Sequence, residues 1–332
     1  MKKKTLITVF ALAVGAGAYA AGAAPGAPLW LRDAQISPDG KNIAFTYKVD
    51  GGKAVRLTSR DSYEQMPVWS PDGKSLAFAS NRNGNFDIFL IQAEAPGQWQ
   101  RFTFDSANEL PEAFAPDGKS VLYSASIQDP AKSALFPSGR MTELYSVDIK
   151  DGRRRQVLPT PVKAISFAPD AKTFLYQDVK SFEDDFRKHH TSSASRDIWA
   201  FDIASGRHTK LIDRPGEDLN PVAAENGDFY FLSERDGDKS INVWRANTAH
   251  PEAAQRVTSF KTHPVRFLSR ALDGRIAFTY DGEIYTIAPG AKKPVKLAVS
   301  IDADQDEELR RLSATSGARR PAALPDGKNI AF

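Results

Sequence analysis

The chain has 332 residues, 41% of them hydrophobic, with 44 basic and 41 acidic side chains and no cysteine. This composition is typical of a globular protein large enough for one big domain or two ordinary ones. The absence of cysteine excludes disulfides, thiolate metal sites, a cysteine nucleophile and lipid attachment through a cysteine.

The first twenty residues have the pattern of a secretory signal peptide. Lys2, Lys3 and Lys4 precede an apolar run over residues 6–18, which is shorter than the roughly 20 residues that a membrane-spanning helix needs. The small residues on either side of Tyr19 predict cleavage near Ala20. The alternative interpretation of this run is an uncleaved N-terminal helix. Cleavage predicts a periplasmic or secreted protein.

The charge of the mature chain argues against two classes of partner. Loss of the three leading lysines leaves 41 basic and 41 acidic side chains. A neutral chain has no overall attraction for nucleic acid or anionic membranes, so neither is predicted as a partner. The run Arg153-Arg154-Arg155 is short and is interpreted as a solvated strand end.

A short turn phrase recurs along the mature sequence, which indicates a repeat architecture. It occupies residues 36–45, 69–78, 114–123 and 167–176, with weaker copies near Gly227 and Gly274 and a further copy beginning at residue 324. Proline and aspartate favour the first corner of a turn, and glycine accepts the left-handed conformation that closes it. Each phrase therefore predicts a hairpin. Ala171 replaces the glycine in the fourth copy, which predicts a modified or strained turn there.

The residues after each turn predict three further strands per repeat. An apolar strand comes first and is expected to be buried on both faces, and a more polar strand ends the unit. The strand between them begins with an acidic residue or asparagine, then an aliphatic and an aromatic residue, at residues 87–89, 143–145, 197–199, 242–244 and 283–285. Four antiparallel strands recurring at roughly 45-residue intervals predict the blades of a β-propeller.

These units predict an all-β chain with the following organisation. Residues 1–20 are the signal peptide, residues 21–299 form a six-bladed β-propeller of four-stranded antiparallel blades, residues 300–323 form a linker, and residues 324–332 begin a truncated second propeller. The first blade is expected to be shortened, because only residues 47–54 separate its second strand from the polar strand at Val55.

No catalytic, cofactor-binding or metal-binding residue is predicted, and no cofactor is expected. The sequence lacks the G-x-S-x-G, H-E-x-x-H, Walker and dinucleotide-binding motifs. His189 and His190 lie in a polar insertion that is interpreted as an exposed loop rather than a metal or catalytic site. Residues 302–306, with alternating aspartates, are interpreted as a solvated linker rather than a calcium loop, and residues 81–87 as a turn rather than a ligand site.

The turn phrases resemble TolB-type propeller repeats, and the order of the parts resembles the N-terminal region of exported tricorn-type serine proteases. The more specific segments are residues 186–193, leading into Arg196-Asp197-Ile198-Trp199, and residues 312–318 before the last turn phrase. The resemblance implies a six-bladed propeller followed by a second propeller, a PDZ-like module and protease domains that carry the catalytic serine and histidine.

Three functions are consistent with these observations. The leading hypothesis is a noncatalytic propeller portion of a periplasmic tricorn-like serine peptidase, which guides or filters peptides for downstream protease domains absent from residues 1–332. The alternative is a self-contained TolB-like propeller that binds another protein of the cell envelope. A third interpretation places the propeller before an α/β-hydrolase of the prolyl-oligopeptidase class, and the six-unit count and the new repeat argue against it.

Overall fold

The computed structural model describes residues 30–47, 57–58, 62–127, 141–181, 192–235 and 240–299, together with 322–323 and 330–331. The predicted signal peptide, the two adjacent histidines and the aspartates of residues 302–306 lie outside these described residues. The chain forms two compact units, Met1–Asp302 and Ala303–Phe332. In the described ranges, no helix is both long and apolar enough to span a bilayer.

The first unit is built from antiparallel strands. The first sheet contains β1 (Arg32–Ile36) and β2 (Ile43–Thr46), and the second contains β3 (Glu64–Trp69), β4 (Ser75–Ser80), β5 (Asp87–Gln92) and β6 (Trp99–Arg101). The third contains β7 (Glu109–Phe114), β8 (Ser120–Ala125), β9 (Glu143–Asp148) and β10 (Arg154–Leu158), and the fourth contains β11 (Val162–Phe167), β12 (Thr173–Asp178), β13 (Ile198–Asp202) and β14 (Arg207–Lys210). The fifth contains β15 (Asp218–Ala223), β16 (Asp228–Ser233), β17 (Asn242–Asn247) and β18 (His250–Arg256), and the sixth contains β19 (Val265–Arg270), β20 (Ile276–Tyr280), β21 (Glu283–Ile287) and β22 (Val295–Lys296). A 3₁₀ turn, Glu225–Gly227, precedes β16.

The architecture is a β-propeller of four-stranded antiparallel blades, as the sequence predicts. The prediction of six such blades is wrong, because the described residues form five of them and one shortened sheet. Five sheets have four strands, and the first sheet has two in the described part of the chain. We refer to the sheets as blades one to six in chain order. The first strands of the sheets contact one another in the order β1, β3, β7, β11, β15, β19, and β19 in turn contacts β1. The shortened sheet thus closes the ring of inner strands.

Burial follows the strand order that the sequence predicts. The second strands β4 and β8 are buried at every residue but the first, because neighbouring blades cover both of their faces. The outermost strand β10 is exposed at four of its five positions, and β22 is exposed throughout. Polar side chains on these outer strands protect the open sheet edges from pairing with other chains.

The turn phrases form the hairpins between the first and second strands. In the first three copies a glycine with φ of 70–71° donates its N–H to a carbonyl three residues earlier, at 2.9 Å. Ala171 makes the same bond, also at 2.9 Å, with φ of 58°. The fourth copy therefore keeps the turn type of the others and holds an alanine in a left-handed conformation, which is strained for a residue with a Cβ atom.

The hydrophobic core lies in layers between neighbouring blades. Between blades two and three, Ala77 and Ile88 pack against Val121, Tyr123 and Tyr145. The layer that closes the ring joins β1 and β2 to β20 and β21, and it includes Leu31, Ile36, Phe45, Ala277 and Ile284. This arrangement leaves the first strand of each sheet facing the centre of the ring.

The second unit shows a two-stranded antiparallel sheet of β23 (Ala322–Ala323) and β24 (Ile330–Ala331). The predicted second propeller is not seen in the described residues and stays a prediction.

Candidate functional site

A central channel runs between the six innermost strands and is the candidate functional site. It has a volume of about 480 Å³ and is lined by residues of β1, β3, β7, β11, β15 and β19. At one level of the wall the equivalent residues of five strands are Gln65, Leu110, Lys163, Leu219 and Arg266. The wall thus combines apolar side chains with a few polar and basic groups, as ligand sites commonly do.

Each innermost strand carries a β-bulge at the same place in its sheet. In five of the six strands the bulge includes a residue other than glycine with φ of 50–54°: Asp33, Met66, Ala164, Asn220 and Phe267. The remaining innermost strand, β7, has Pro111 at this position, and the proline ring fixes φ at a negative value. Such strained residues cost about 1–3 kcal/mol each, and they persist only where surrounding contacts hold them.

Side chains from neighbouring blades provide these contacts at several bulges. Glu112 Oε2 accepts the N–H of Ala164 at 2.8 Å, and Gln177 Oε1 accepts that of Asn220 at 2.8 Å. Asn220 Oδ1 in turn accepts the N–H of Leu268 at 2.8 Å, while its Nδ2 donates to the Leu268 carbonyl at 3.1 Å. The channel wall is therefore fixed by hydrogen bonds that cross from blade to blade.

Two acidic side chains of the channel lining are held by hydrogen bonds from their surroundings. Thr46 donates to Asp33 Oδ2 at 2.8 Å, and Ser124 donates to Glu112 Oε1 at 2.8 Å. Burial raises the pKa of Asp33, against the opposing effect of its bonds from the Thr46 hydroxyl and the Met66 backbone. Both carboxylates therefore hold the blades together.

The basic residues of the lining fall into two groups. Arg196 is paired with Glu217, and Arg270 with Glu225. Lys163 and Arg266 are half-buried in the wall, and Lys163 makes no ion pair within the described ranges. Lys163 can thus offer positive charge to a ligand from β11.

The side chains of the predicted turn at residues 81–87 have structural roles. Asn81 Oδ1 accepts the N–H of Tyr63 at 2.7 Å, and Asn85 Nδ2 donates to the Asp105 carbonyl at 2.7 Å. Gly84, with φ of 123°, is the one residue of this turn with a positive φ. Asparagine therefore serves here to tie loops together rather than to tolerate an unusual backbone.

Histidine and acidic side chains are dispersed in the part of the chain that the structure describes. Among them, no group of three or more histidine, aspartate or glutamate side chains could hold a metal ion. His208 Nδ1 shares a hydrogen bond with Tyr176 Oη at 2.7 Å, and His263 Nε2 lies 3.4 Å from Asp281 Oδ1. The absence of catalytic residues stays a prediction.

Sequence analysis missed the bulges, the bonds between blades and hence the channel wall. A signal for them exists in hindsight, because the strict alternation of a strand breaks at Met66-Pro67, Pro111-Glu112 and Asn220-Pro221. Proline in mid-strand commonly marks a bulge. The partner side chains come from other repeats, and no local pattern reveals them.

The fold defines the class of protein as a β-propeller with a central channel. The family described as the tricorn protease N-terminal beta propeller domain matches residues 46–293, and the chain belongs to this family. The matched segment includes the inner strands β3, β7, β11, β15 and β19.

One relative and two solved structures are similar to the chain. The uncharacterized peptidase YuxL of Bacillus subtilis (strain 168) is 28% identical over 105 residues, which are 31% of this chain and only 15% of that protein. The tricorn protease structure superposes with a TM-score of 0.64 at 21% identity, covering 81% of this chain and 26% of that one. A putative TolB from Agrobacterium tumefaciens gives a TM-score of 0.58 at 19% identity, covering 76% and 87%. The two structures share the propeller fold.

Proposed function

We propose that the chain is the noncatalytic propeller portion of a tricorn-like serine peptidase, and that its channel guides or filters peptides for protease domains of the same protein. The observation that carries the proposal is the family match over residues 46–293, which includes five of the six strands lining the channel. The peptidase relative supports the same class of activity.

The channel has physical properties that suit an unfolded peptide. Its volume of about 480 Å³ falls within the range of about 300–1,000 Å³ usual for ligand sites. Leu110, Leu219 and Phe267 offer apolar contacts, whereas Lys163 offers positive charge. Because the wall is cross-linked by hydrogen bonds, it does not widen to admit a folded domain, and this gives selection by size.

Peptide binding to the full chain tests the proposal. Fluorescently labelled peptides of several lengths are titrated with the protein and followed by anisotropy. Leu219→Trp narrows the channel and is expected to weaken peptide binding at least tenfold. Ile203→Trp changes an exposed residue of the β13–β14 turn and should leave binding unchanged. Equal binding by both variants would contradict the channel as the site.

The proposal also places the mature protein in the periplasm. Its support is the signal-peptide pattern of residues 1–20. Expression of the full chain in a Gram-negative host, followed by cell fractionation and intact-mass measurement, tests both points. The expected product is a periplasmic protein that begins at Ala21, and an uncleaved cytoplasmic product would contradict it.

A second candidate function is a TolB-like module that binds another envelope protein. It is favoured by the superposition that covers 87% of the putative TolB chain. Cross-linking in the periplasm distinguishes the two functions. A stable protein partner whose capture survives Leu219→Trp supports the binding module, whereas peptide cross-links lost in that variant support the channel.

A further inference from the structure

Blades two and five contain the same buried ion pair. The first residue of the inner strand is acidic, Glu64 or Asp218, and it pairs in register with a serine at the end of the second strand. An arginine two residues after that serine bonds the carboxylate: Arg82 contacts Glu64, and Arg235 Nη2 lies 3.2 Å from Asp218 Oδ1. The serine hydroxyl accepts a bond from the arginine Nε, at 2.9 Å in blade two and 3.1 Å in blade five.

Aromatic rings complete the binding site for each of these arginines. The Arg82 guanidinium carbon is 5.6 Å from the Phe78 ring centroid and 4.4 Å from that of Phe89. The Arg235 carbon is 4.8 Å and 5.0 Å from the rings of Phe231 and Trp244, the register-equivalent pair. A cation over such rings is stabilised by their negative faces.

Blade three keeps this site but lacks the arginine. Glu109 pairs with Ala125 as Glu64 pairs with Ser80, and Tyr123 and Tyr145 replace the two rings. These two rings are stacked with centroids 5.7 Å apart and an angle of 26° between them, against 5.9 Å and 26° in blade two. Ile127 stands where blades two and five have Arg82 and Arg235.

The missing arginine leaves several buried polar atoms unsatisfied. Both carboxylate oxygens of Glu109 lack a geometric hydrogen bond in the described structure, as does the Tyr123 Oη beside them. Glu109 and Tyr123 are fully buried. Unsatisfied buried polar atoms are rare because each costs about 1–3 kcal/mol, and such a group in one place indicates that a donor is missing.

The cations nearby are already engaged. Arg101 Nη2 lies 2.9 Å from Asp87 Oδ1, and Arg154 contacts Asp105. The closest approach of Arg154 to Glu109 is 4.0 Å, too long for a hydrogen bond. Among the described residues, three acidic side chains thus face two basic ones, and the nearest cation to Glu109 is the Arg154 guanidinium at 4.0 Å.

We propose that blade three binds a guanidinium group from a ligand, in the position that Arg82 and Arg235 occupy in blades two and five. The ligand class is an arginine side chain of a peptide or a small guanidinium compound. Its planar N–H donors satisfy the two Glu109 oxygens and it lies over the Tyr123 and Tyr145 rings, a combination that guanidinium makes better than ammonium. Ile127, which is only partly buried, is the side chain that the ligand displaces. The inference is independent of the proposed peptide channel.

The site has a built-in pH dependence. Burial raises the pKa of Glu109 to about 7, which outweighs the lowering effects of Thr103 and Arg154, and Asp87 and Asp105 raise it further. The Tyr123 hydroxyl also faces this carboxyl and remains protonated, because burial raises its pKa further. A guanidinium therefore meets an ionised carboxylate at pH 8 and a largely neutral carboxyl at pH 6.

Calorimetric titration of the full chain with agmatine, a small guanidinium compound, tests the inference. Agmatine is expected to bind about tenfold more tightly at pH 8 than at pH 6. Putrescine, which has ammonium groups only, is expected to bind at least tenfold more weakly than agmatine. Glu109→Gln should weaken agmatine binding at least tenfold. Ile127→Arg should abolish it, because the chain then fills the site itself.

Blade two supplies a matched control. Arg82→Ile removes the arginine beside Glu64 and should create a second agmatine site, raising the stoichiometry from one to two. If this variant does not fold, the Glu109 and Ile127 variants decide alone. Failure of agmatine to bind the parent chain at pH 8, or binding unaffected by both Glu109→Gln and Ile127→Arg, would overturn the inference.

Discussion

Ala171 has the left-handed backbone conformation that glycine has in the equivalent turns. Left-handed φ costs an alanine roughly 1–2 kcal/mol, whereas glycine adds about 0.4–1 kcal/mol of unfolded-state entropy. Ala171→Gly is therefore expected to raise the free energy of unfolding by about 0.5–1 kcal/mol. Gly118→Ala, in a turn where an added Cβ atom meets only Pro71 at 3.8 Å, should lower it. Urea denaturation measures the free energy of unfolding of both variants. A lower value for Ala171→Gly than for the parent chain would contradict backbone strain at Ala171.

The fully buried Glu109 predicts a pH dependence of stability. Its folded-state pKa of about 7 lies above the ordinary value of 4.5, so the native state binds more protons than the unfolded state between these values. Stability should fall as the pH rises through this window, by an amount on the order of 3 kcal/mol from this residue. Urea denaturation at pH 5 and pH 7.5 measures the fall. The fall in stability should be smaller in Glu109→Gln than in the parent chain. An identical fall in the two proteins would contradict the raised pKa of Glu109.

At the scale of strands, sequence patterns predicted what is local and missed what is shared between blades. The turn phrases, the doubly buried β4 and β8 and the exposed β10 follow from turn chemistry and periodicity. The bulge at Asn220 was missed, because its bonds come from Gln177 in the preceding blade and Leu268 in the following one. The missing arginine beside Glu109 also becomes visible only when strand register aligns Ile127 with Arg82 and Arg235.

Asn220 forms hydrogen bonds to both neighbouring blades, so its replacement should lower stability substantially. Asn220→Ala deletes two side-chain bonds to the Leu268 backbone and leaves a buried N–H unpaired, for an expected loss of about 2 kcal/mol. Asn226→Ala is the matched control, because Asn226 has a similar φ, 58° against 51°, in an exposed turn. Asn226→Ala should lower the free energy of unfolding by at least about 1 kcal/mol less than Asn220→Ala does. Equal losses in chemical denaturation would assign the whole effect to backbone conformation.

At the scale of the whole propeller, the first and sixth sheets decide whether the repeats form a ring or an open array. The Ile36 N–H donates to Ser269 Oγ at 3.1 Å, and Leu31 donates to the Gly282 carbonyl at 2.9 Å. The layer that contains Phe45 packs the two-stranded first sheet against β20 and β21. In an open array of repeats each unit contacts only its neighbours, and the end units fray. Closure thus protects the shortest sheet and fixes the channel.

Weakening the closing layer should therefore open the ring locally. Phe45→Ala and Phe229→Ala both remove a buried ring and should each cost about 3–5 kcal/mol, but Phe229 lies in the layer between blades four and five, which the chain joins directly. Hydrogen exchange should show early loss of protection in β1, β2, β20 and β21 for Phe45→Ala, with β11 and β12 still protected. Phe229→Ala should instead lower protection throughout the ring. If Phe45→Ala lowered the protection from hydrogen exchange equally in all strands, the propeller would unfold as one unit. Its channel would then not depend on a separate closing contact.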